Sequence, residues 1–500
     1  MALVARLQSG DFGTLVALSY AFANAAAAAT LMFRIHLAGE QMKIGKSFTG
    51  HAIAAALPLS LALASCAGHI KQPASPQQLT LELNRSAAAY VSADYRVRRP
   101  TTALHFPQEL GGYRAEVWQT ADGAFKWTTE GQGERVERKD GLPFDRVTFT
   151  IPVDYRALPK SYAPFSPFSE GSTLVHSGQF HACLAAPCAQ PAPLPITVVA
   201  ESAVIGVDGG RMRGRASFIS RDDGTSIFIG NLAPVDADGF VAIIDPGLPN
   251  ALQQRLGRSL PQAMAYFAAI YGRLSFTPEL YVSIDDTPEK NGRISSQGGT
   301  LPHQIFMHFD GAGARTRLAS DKGLWLDWFF AHEAAHLFQQ DKAGKLVGDD
   351  VAAWIHEGGA DAMAALAMLR RGPEARAYVL DRDVEAEAAC AKGLAKSPLS
   401  KATAEGNFDL HYQCGLVIWL AIDQELRRNG HDGLHDLNAA LLAAVRKGKP
   451  WNQAVLLDLA RQRGVSPSVI AQIAQLDTAD AVAAVESLGR LAKAGLQSAT

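Results

Sequence analysis

Apolar positions change their spacing along this chain. Between Leu79 and Asp245 they come in short runs, RVTFTIPV, ITVVAESAVIGV, ASFIS, TSIFIG and FVAIID, with Gly, Pro and Asp between them at short intervals. Runs rich in β-branched and aromatic residues suit a pleated, half-buried surface, so this stretch predicts a mainly antiparallel β domain, a sandwich in form. Near Pro246 the spacing lengthens. PNALQQRLGRSLPQAMAYFAAIYGRL carries a helical period, and LYVSIDD and HQIFMHF then read as strands. From Asp321 helices dominate, over 321–341, 350–371, 376–393 and 409–428, followed by several amphipathic segments over 434–497. Gly430, Gly448, Pro450 and Pro467 punctuate that last region. There is no internal repeat and no sustained heptad. The pattern predicts an α+β, multidomain chain, with a β-sandwich-like domain over 79–245, an α+β part over 246–430 and a C-terminal helical region over 431–500.

Composition agrees with that division. Five hundred residues exceed one ordinary core, and 48% hydrophobic with 19% charged residues describes a chain able to fold. The 47 basic and 49 acidic residues give a formal net charge of -2, with neither sign gathered into a long run. Nothing here points to a nucleic-acid partner.

An export signal begins inside the chain. From Met42 the sequence reads MKIGKSFTGHAIAAALPLSLALASCAG: two lysines, an apolar run from Ala52, then small residues ending in Cys66. That is the order of a secretory signal, and the run is short for a membrane span and contains Pro58. Residues 42–65 are therefore expected to be a signal peptide, and 1–41 a mis-assigned start or an extension. Leu63-Ala64-Ser65-Cys66 resembles the bacterial lipobox, in which the cysteine carries lipid. The resemblance implies a protein exported and lipid-anchored at Cys66 in the cell envelope. Ala67 after the cysteine resembles the outer-membrane-directed case, facing the periplasm. The polar, proline-bearing segment that follows, to residue 78, reads as a tether.

Four cysteines remain beyond Cys66, an even number in a compartment where disulfides persist. The sequence does not fix their pairing, but Cys183 with Cys188 and Cys390 with Cys414 would each link neighbours. No second close cysteine or histidine pair completes a zinc knuckle.

The chemistry is concentrated in FFAHEAAHLFQQD, residues 329–341, where an apolar helical stretch carries His332, Glu333 and His336. Residues four apart share a helix face, so His332 and His336 aim two imidazoles at one point, and Glu333 reaches a water there without ligating. A catalytic zinc needs a third protein ligand. The second apolar helical stretch, AAWIHEGGADAMAAL, offers Glu357, and Asp361 one turn later is placed to accept the free N–H of a ligand histidine. His356 is expected to point away from the metal. His303 and His308 read as ordinary strand residues on opposite faces, and Trp325, Trp328 and Trp354 as core or cleft wall.

With those residues assembled, the chain resembles the gluzincin metallopeptidases, in which a glutamate on a second helix completes the zinc site. WIHEGG is similar to the segment found in aminopeptidase N and the glycyl aminopeptidases. FTIPVDYRALPKSYAPFSPF and HYQCGLVIWLAIDQELRR extend the likeness to the glycyl aminopeptidases patchily over Val147 to Arg428. The resemblance implies a thermolysin/aminopeptidase-like catalytic part binding Zn2+. It also implies an oxyanion-stabilising role for Tyr412, which matches the family's Tyr-x-x-Gly, with His411 beside it as a second donor. Gly298 and Gly299, in SSQGGTLPHQIFMHF, stand where the family's edge strand binds substrate, but no acid lies near them to bind a free amine.

The expected activity is zinc-dependent peptide hydrolysis, aminopeptidase-like or on short peptides internally. Zinc on His332, His336 and Glu357 would activate water, and Glu333 would act as general base. The alternative is a catalytically inactive gluzincin-fold lipoprotein acting as a binding module.

Overall fold

The computed structural model describes residues 78–158, 161–188, 191–237, 239–287, 294–320, 322–344 and 352–495. The segment before the expected signal, the signal itself, Cys66 and the tether up to residue 77 lie outside the described residues.

The N-terminal strands are β1 (Leu79–Ala87), β2 (Tyr90–Thr101), β3 (Ala103–Phe106), β4 (Phe125–Glu130), β5 (Gly133–Arg138), β6 (Phe144–Pro152), β7 (Phe165–Pro167), β8 (Thr173–His176), β9 (Leu194–Val207), β10 (Gly210–Ser220) and β11 (Ser226–Gly230). A short helix, α1 (Tyr113–Val117), lies between β3 and β4. Among the described residues eight strands form one sheet in the order β6-β2-β1-β9-β11-β8-β7, with β10 hairpinned onto β9, and β3-β5-β4 form a smaller sheet. All pairs but β1 with β9 are antiparallel. The alternation read from the sequence appears directly: in β6 Val147, Phe149 and Ile151 are buried. They share one core with Phe106, Trp118 and Val136 from the region of the smaller sheet, which is how a half-apolar sheet satisfies its inner face.

The second sheet contains β12 (Val235–Ala237), β13 (Phe240–Ile244), β14 (Glu279–Asp285), β15 (Ser295–Leu301) and β16 (Gln304–Asp310), ordered β12-β13-β14-β16-β15. Here the sequence expectation needs correcting. FVAIID was assigned to the β domain ending at 245, but β13 pairs in parallel with β14, so the change of sheet falls between Gly230 and Val235. A run buried on both faces has no alternation to show which sheet it joins. The helix α2 (Asn250–Tyr271) makes the crossover between these parallel strands.

Asp245, just after β13, ties the two sheets together. Fully buried, its carboxylate accepts from the Ser169 amide (2.7 Å) beyond β7, from the Gly247 amide (2.7 Å) and from the Ile284 amide (3.0 Å) in β14. Buried charge is tolerated where several donors replace water. Phe168, Phe228, Ile243, Tyr281 and Phe306 form an apolar cluster spanning the same boundary.

The helices that follow are α3 (Ala314–Ser320), α4 (Leu324–Ala343), α5 (Ala353–Leu369), α6 (Pro373–Leu394), α7 (Asp409–Arg428), α8 (Leu434–Arg446), α9 (Gln453–Gln462), α10 (Pro467–Gln475) and α11 (Ala481–Ala494). Every residue of α4 from Leu326 to Gln339 is buried. A helix buried all round belongs at the centre, and α4 lies between the second sheet and the helices α2, α5 and α8. The helices after Gly430 share this core rather than forming one of their own. Both pairs of neighbouring cysteines are bonded, Cys183 to Cys188 and Cys390 to Cys414, the second joining α6 to α7. No helix among the described residues is long and apolar enough to cross a membrane.

Candidate active site

His332, Glu333 and His336 lie in the middle of α4, and Glu357 and Asp361 in the first turns of α5. His332 meets Asp361 while His336 meets Glu357, so the helices run antiparallel past each other and the later residue of one faces the earlier residue of the other. Small residues along α5 let it pack closely on its neighbours. Gly358 and Gly359 remove side chains where α7 crosses, and the alanines after them keep the helix thin.

The three expected ligands converge. His332 Nε2 and His336 Nε2 are 2.9 Å apart, and Glu357 Oε2 lies 3.2 Å from the second and 3.4 Å from the first. Among the described residues this is the one group of three or more such side chains able to share an ion, with ligand atoms within 4.8 Å of one another. Ligands about 2.0–2.1 Å from a tetrahedral cation sit roughly 3.3 Å from each other, so the spacing fits zinc.

Proton placement strengthens the fit. His332 Nδ1–H donates to Asp361 Oδ1 at 2.8 Å, and His336 Nδ1–H donates to Gln339 Oε1 at 2.9 Å. A neutral imidazole with its proton on Nδ1 presents a bare lone pair at Nε2. With Nδ1 so committed, each ring turns its Nε2 toward the other and toward the Glu357 carboxylate, a buried arrangement that favours positive charge between them, a proton or a metal ion. Burial alone would lower the His332 pKa, yet Asp361 and Glu357 hold it well above the ordinary histidine value. The Glu357 carboxyl, which burial would raise, is held well below its usual range by His336 and His332. The site thus favours a cation.

Glu333 is 1% exposed. Burial pushes its carboxyl up, against the pull of His332 and His336 and of a hydrogen bond from Thr300. Tyr412, in the first turn of α7, stacks on His332 with ring centroids 5.7 Å apart and planes 25° apart. Its hydroxyl bonds to Glu357, and burial and then the charges of Glu357 and Glu333 keep the phenol protonated. His411 turns elsewhere. Its Nε2 bonds to Thr403 Oγ1 at 2.9 Å, its ring packs on Phe408, and its Nδ1 is buried without a partner.

Gly298 and Gly299 lie on β15, the terminal strand of the second sheet. A Cβ on Gly298 would come 2.6 Å from Phe329 Cζ and 2.9 Å from the Phe306 carbonyl oxygen. That glycine lets α4 sit down on the sheet. Asp361 takes the place expected of it behind His332.

Two expectations about histidines change. The His356 ring was expected to point away; instead it packs on His336, with centroids 4.2 Å apart. With α5 packed this close to α4, the adjacent residues His356 and Glu357 both reach His336. His303 lies in the two-residue turn between β15 and β16, with φ 63°, its ring on Phe276. Pro302 before it fixes the first turn position, leaving His303 the left-handed one. His308 is on β16 and bonds to Ser283 Oγ at 2.8 Å.

Three supporting residues were missed. Gln339 orients His336 and donates from Nε2 to the His356 carbonyl at 3.3 Å. Trp328, read as core or cleft wall, donates from Nε1 to Asp361 Oδ1 at 2.8 Å. Thr300 donates to Glu333 Oε2 at 2.7 Å. The first two carry a sequence signal, an amide three residues after the second histidine and an indole four before the first, so that both share the ligand face. Thr300 carries none, since a strand and a helix far apart in sequence must first be brought together.

No family model matches the chain, and no curated protein does. Among solved structures the chain is similar to an M1 zinc metallopeptidase from Deinococcus radiodurans, at 17% identity over 83% of this chain and 92% of that one, TM-score 0.42. It is also similar to yeast LTA4 hydrolase, at 13% identity over 80% of this chain and 66% of that one, TM-score 0.43. A third is Legionella pneumophila aminopeptidase A, at 11% identity over 80% and 49%, TM-score 0.45.

Proposed function

We propose that this chain is a zinc metallopeptidase of gluzincin type, hydrolysing peptide bonds. The observation that carries the reading is the convergence of His332 Nε2, His336 Nε2 and Glu357 Oε2, with both histidine Nδ1 protons committed to acceptors behind them. Two imidazoles and one carboxylate make a three-ligand set that leaves a fourth position for water. A cation held there would supply Lewis acidity, bringing the pKa of a bound water down to near neutral and polarising a carbonyl.

The remaining steps fall to side chains of this chain. Glu333, next to the first histidine and raised by burial, takes a proton from the attacking water and returns it to the leaving amine. Tyr412 keeps its proton and stands over His332, so its hydroxyl can turn from Glu357 to the carbonyl oxygen as that oxygen gains charge. His411, bonded to Thr403, leaves that task to Tyr412. Strand β15 with Gly298 and Gly299 is terminal in its sheet, which suits backbone pairing with an extended peptide.

Export and lipid attachment at Cys66 belong to the same reading and rest on the signal-like sequence from Met42. The two disulfides support it, since such bonds persist in oxidising compartments.

The test is digestion of a diverse peptide library by the zinc-loaded soluble form beginning after Cys66, beside Glu333→Gln, read by mass spectrometry. Cleavage by the first and at least a hundredfold less by the second, about 3 kcal/mol of barrier, is expected. Equal cleavage by both would remove Glu333 as the base.

A further inference from the structure

We propose that Thr300 is a positioning residue for the general base, a role that rests on the assignment of Glu333 above. Its hydroxyl lies 2.7 Å from Glu333 Oε2 and 3.1 Å from the Glu333 carbonyl oxygen, and Thr300 is 3% exposed. Among the described residues this is the side-chain hydrogen bond that the Glu333 carboxylate receives. A buried carboxylate tethered through one oxygen has the other left for chemistry, and the tether selects the rotamer that faces the histidines.

Strand and helix are matched in register to make this contact. Along β15 residues two apart share a face, and along α4 residues four apart do. Gly298 abuts Phe329, and Thr300 meets Glu333, so one two-residue step of the strand spans one helical turn. The first contact needs the absence of a side chain and the second needs a short one ending in a hydroxyl. Thr300 also pairs with Ile305 of β16, which fixes it in the sheet. The strand that would bind substrate along its edge therefore also sets the base, and a shift of β15 is passed to Glu333 through one bond.

Two variants separate this role from packing. Thr300→Val keeps the shape and removes the donor; Thr300→Ser keeps the donor and removes the methyl group. With wild type turning over peptide, Thr300→Val is expected to lower kcat by about 10- to 100-fold, as loss of a hydrogen bond to a charged group implies, with KM and zinc affinity within about twofold. Thr300→Ser should keep kcat within about threefold of wild type. Unchanged kcat in Thr300→Val, or equal losses in both variants, would overturn the proposal. So would a loss of kcat that zinc loading accounts for.

Crystal structures of the zinc-loaded forms read the same question without turnover. The Glu333 carboxylate should move by about 1 Å or more in Thr300→Val and stay in place in Thr300→Ser, a displacement large enough to matter for catalytic geometry. An unmoved carboxylate in Thr300→Val would overturn the proposal even if wild type proved inactive, an outcome that would count separately against the peptidase reading.

Discussion

Gly358 and Gly415 face each other where α5 crosses α7, so closely that a Cβ on Gly358 would lie 2.3 Å from Gly415 Cα. Seen from the other side, a Cβ on Gly415 would lie 2.7 Å from Gly358 Cα and from the Trp354 carbonyl oxygen. Glu357 is the residue before this contact and Tyr412 lies one turn from it, so the crossing sets the distance between a ligand and the proposed oxyanion donor. Gly358→Ala should cost about 1–3 kcal/mol or more, because backbone rather than a flexible side chain must give way. It should also weaken zinc binding. Gly489 in α11 makes the comparison: a Cβ there meets nothing within 4 Å, so Gly489→Ala should be neutral or stabilise by up to about 1 kcal/mol. Urea unfolding of the three proteins checks the contrast, and equal stability of Gly358→Ala and wild type would contradict it.

Gln339 is expected to matter for metal binding. It holds the His336 Nδ1 proton and bridges to the His356 carbonyl, so Gln339→Ala frees the ring to rotate and to change tautomer. Zinc affinity should fall by about 10- to 100-fold, the range typical of partners that orient metal ligands. Competition with a chromogenic chelator measures it. An affinity equal to that of wild type would show that α4 alone fixes His336.

His435 links α8 to α2, with Tyr266 at Nε2 and Tyr271 at Nδ1, each at 2.7 Å. One phenol must donate to the ring and the other accept from it, an arrangement available only to neutral imidazole. Burial, and then Arg427, lowers its pKa to about 4. In the unfolded chain histidine takes a proton near 6.5, so the unfolded state binds it first as acid is added. The contribution of His435 to stability is complete above about pH 6.5 and is lost as pH falls towards about 4. Replacing it with Gln should flatten the fall of unfolding free energy across that window by up to about 1.4 kcal/mol per pH unit, one proton's worth. An unchanged slope would mean that His435 does not titrate there.

Much of this architecture was legible because short-range patterns decided it. Alternation in runs such as RVTFTIPV revealed strands, and the His332–His336 spacing revealed a shared helix face, since both depend only on local periodicity. Glu357 could be named because a two-histidine site lacks a ligand and Glu357 is the first acid to interrupt the next apolar helix. The membership of FVAIID in the second sheet was not legible, for a strand buried on both sides shows no alternation. The turn at Pro302-His303 is hidden in the pattern, because apolar runs continue on both sides of it. Thr300 and the ring of His356 depend on how sheet, α4 and α5 are stacked, which is set by packing at glycines and alanines that carry no chemistry of their own.

The proposed function requires above all that α4 and α5 together hold one divalent cation through His332, His336 and Glu357. Anomalous diffraction at the zinc edge, on crystals of the zinc-loaded protein, tests it most directly. A single buried peak is expected, with His332 Nε2, His336 Nε2 and a Glu357 oxygen about 2.0–2.2 Å away. A peak bound by only the two histidines with Glu357 turned aside, or no peak between these helices at full zinc loading, would contradict it.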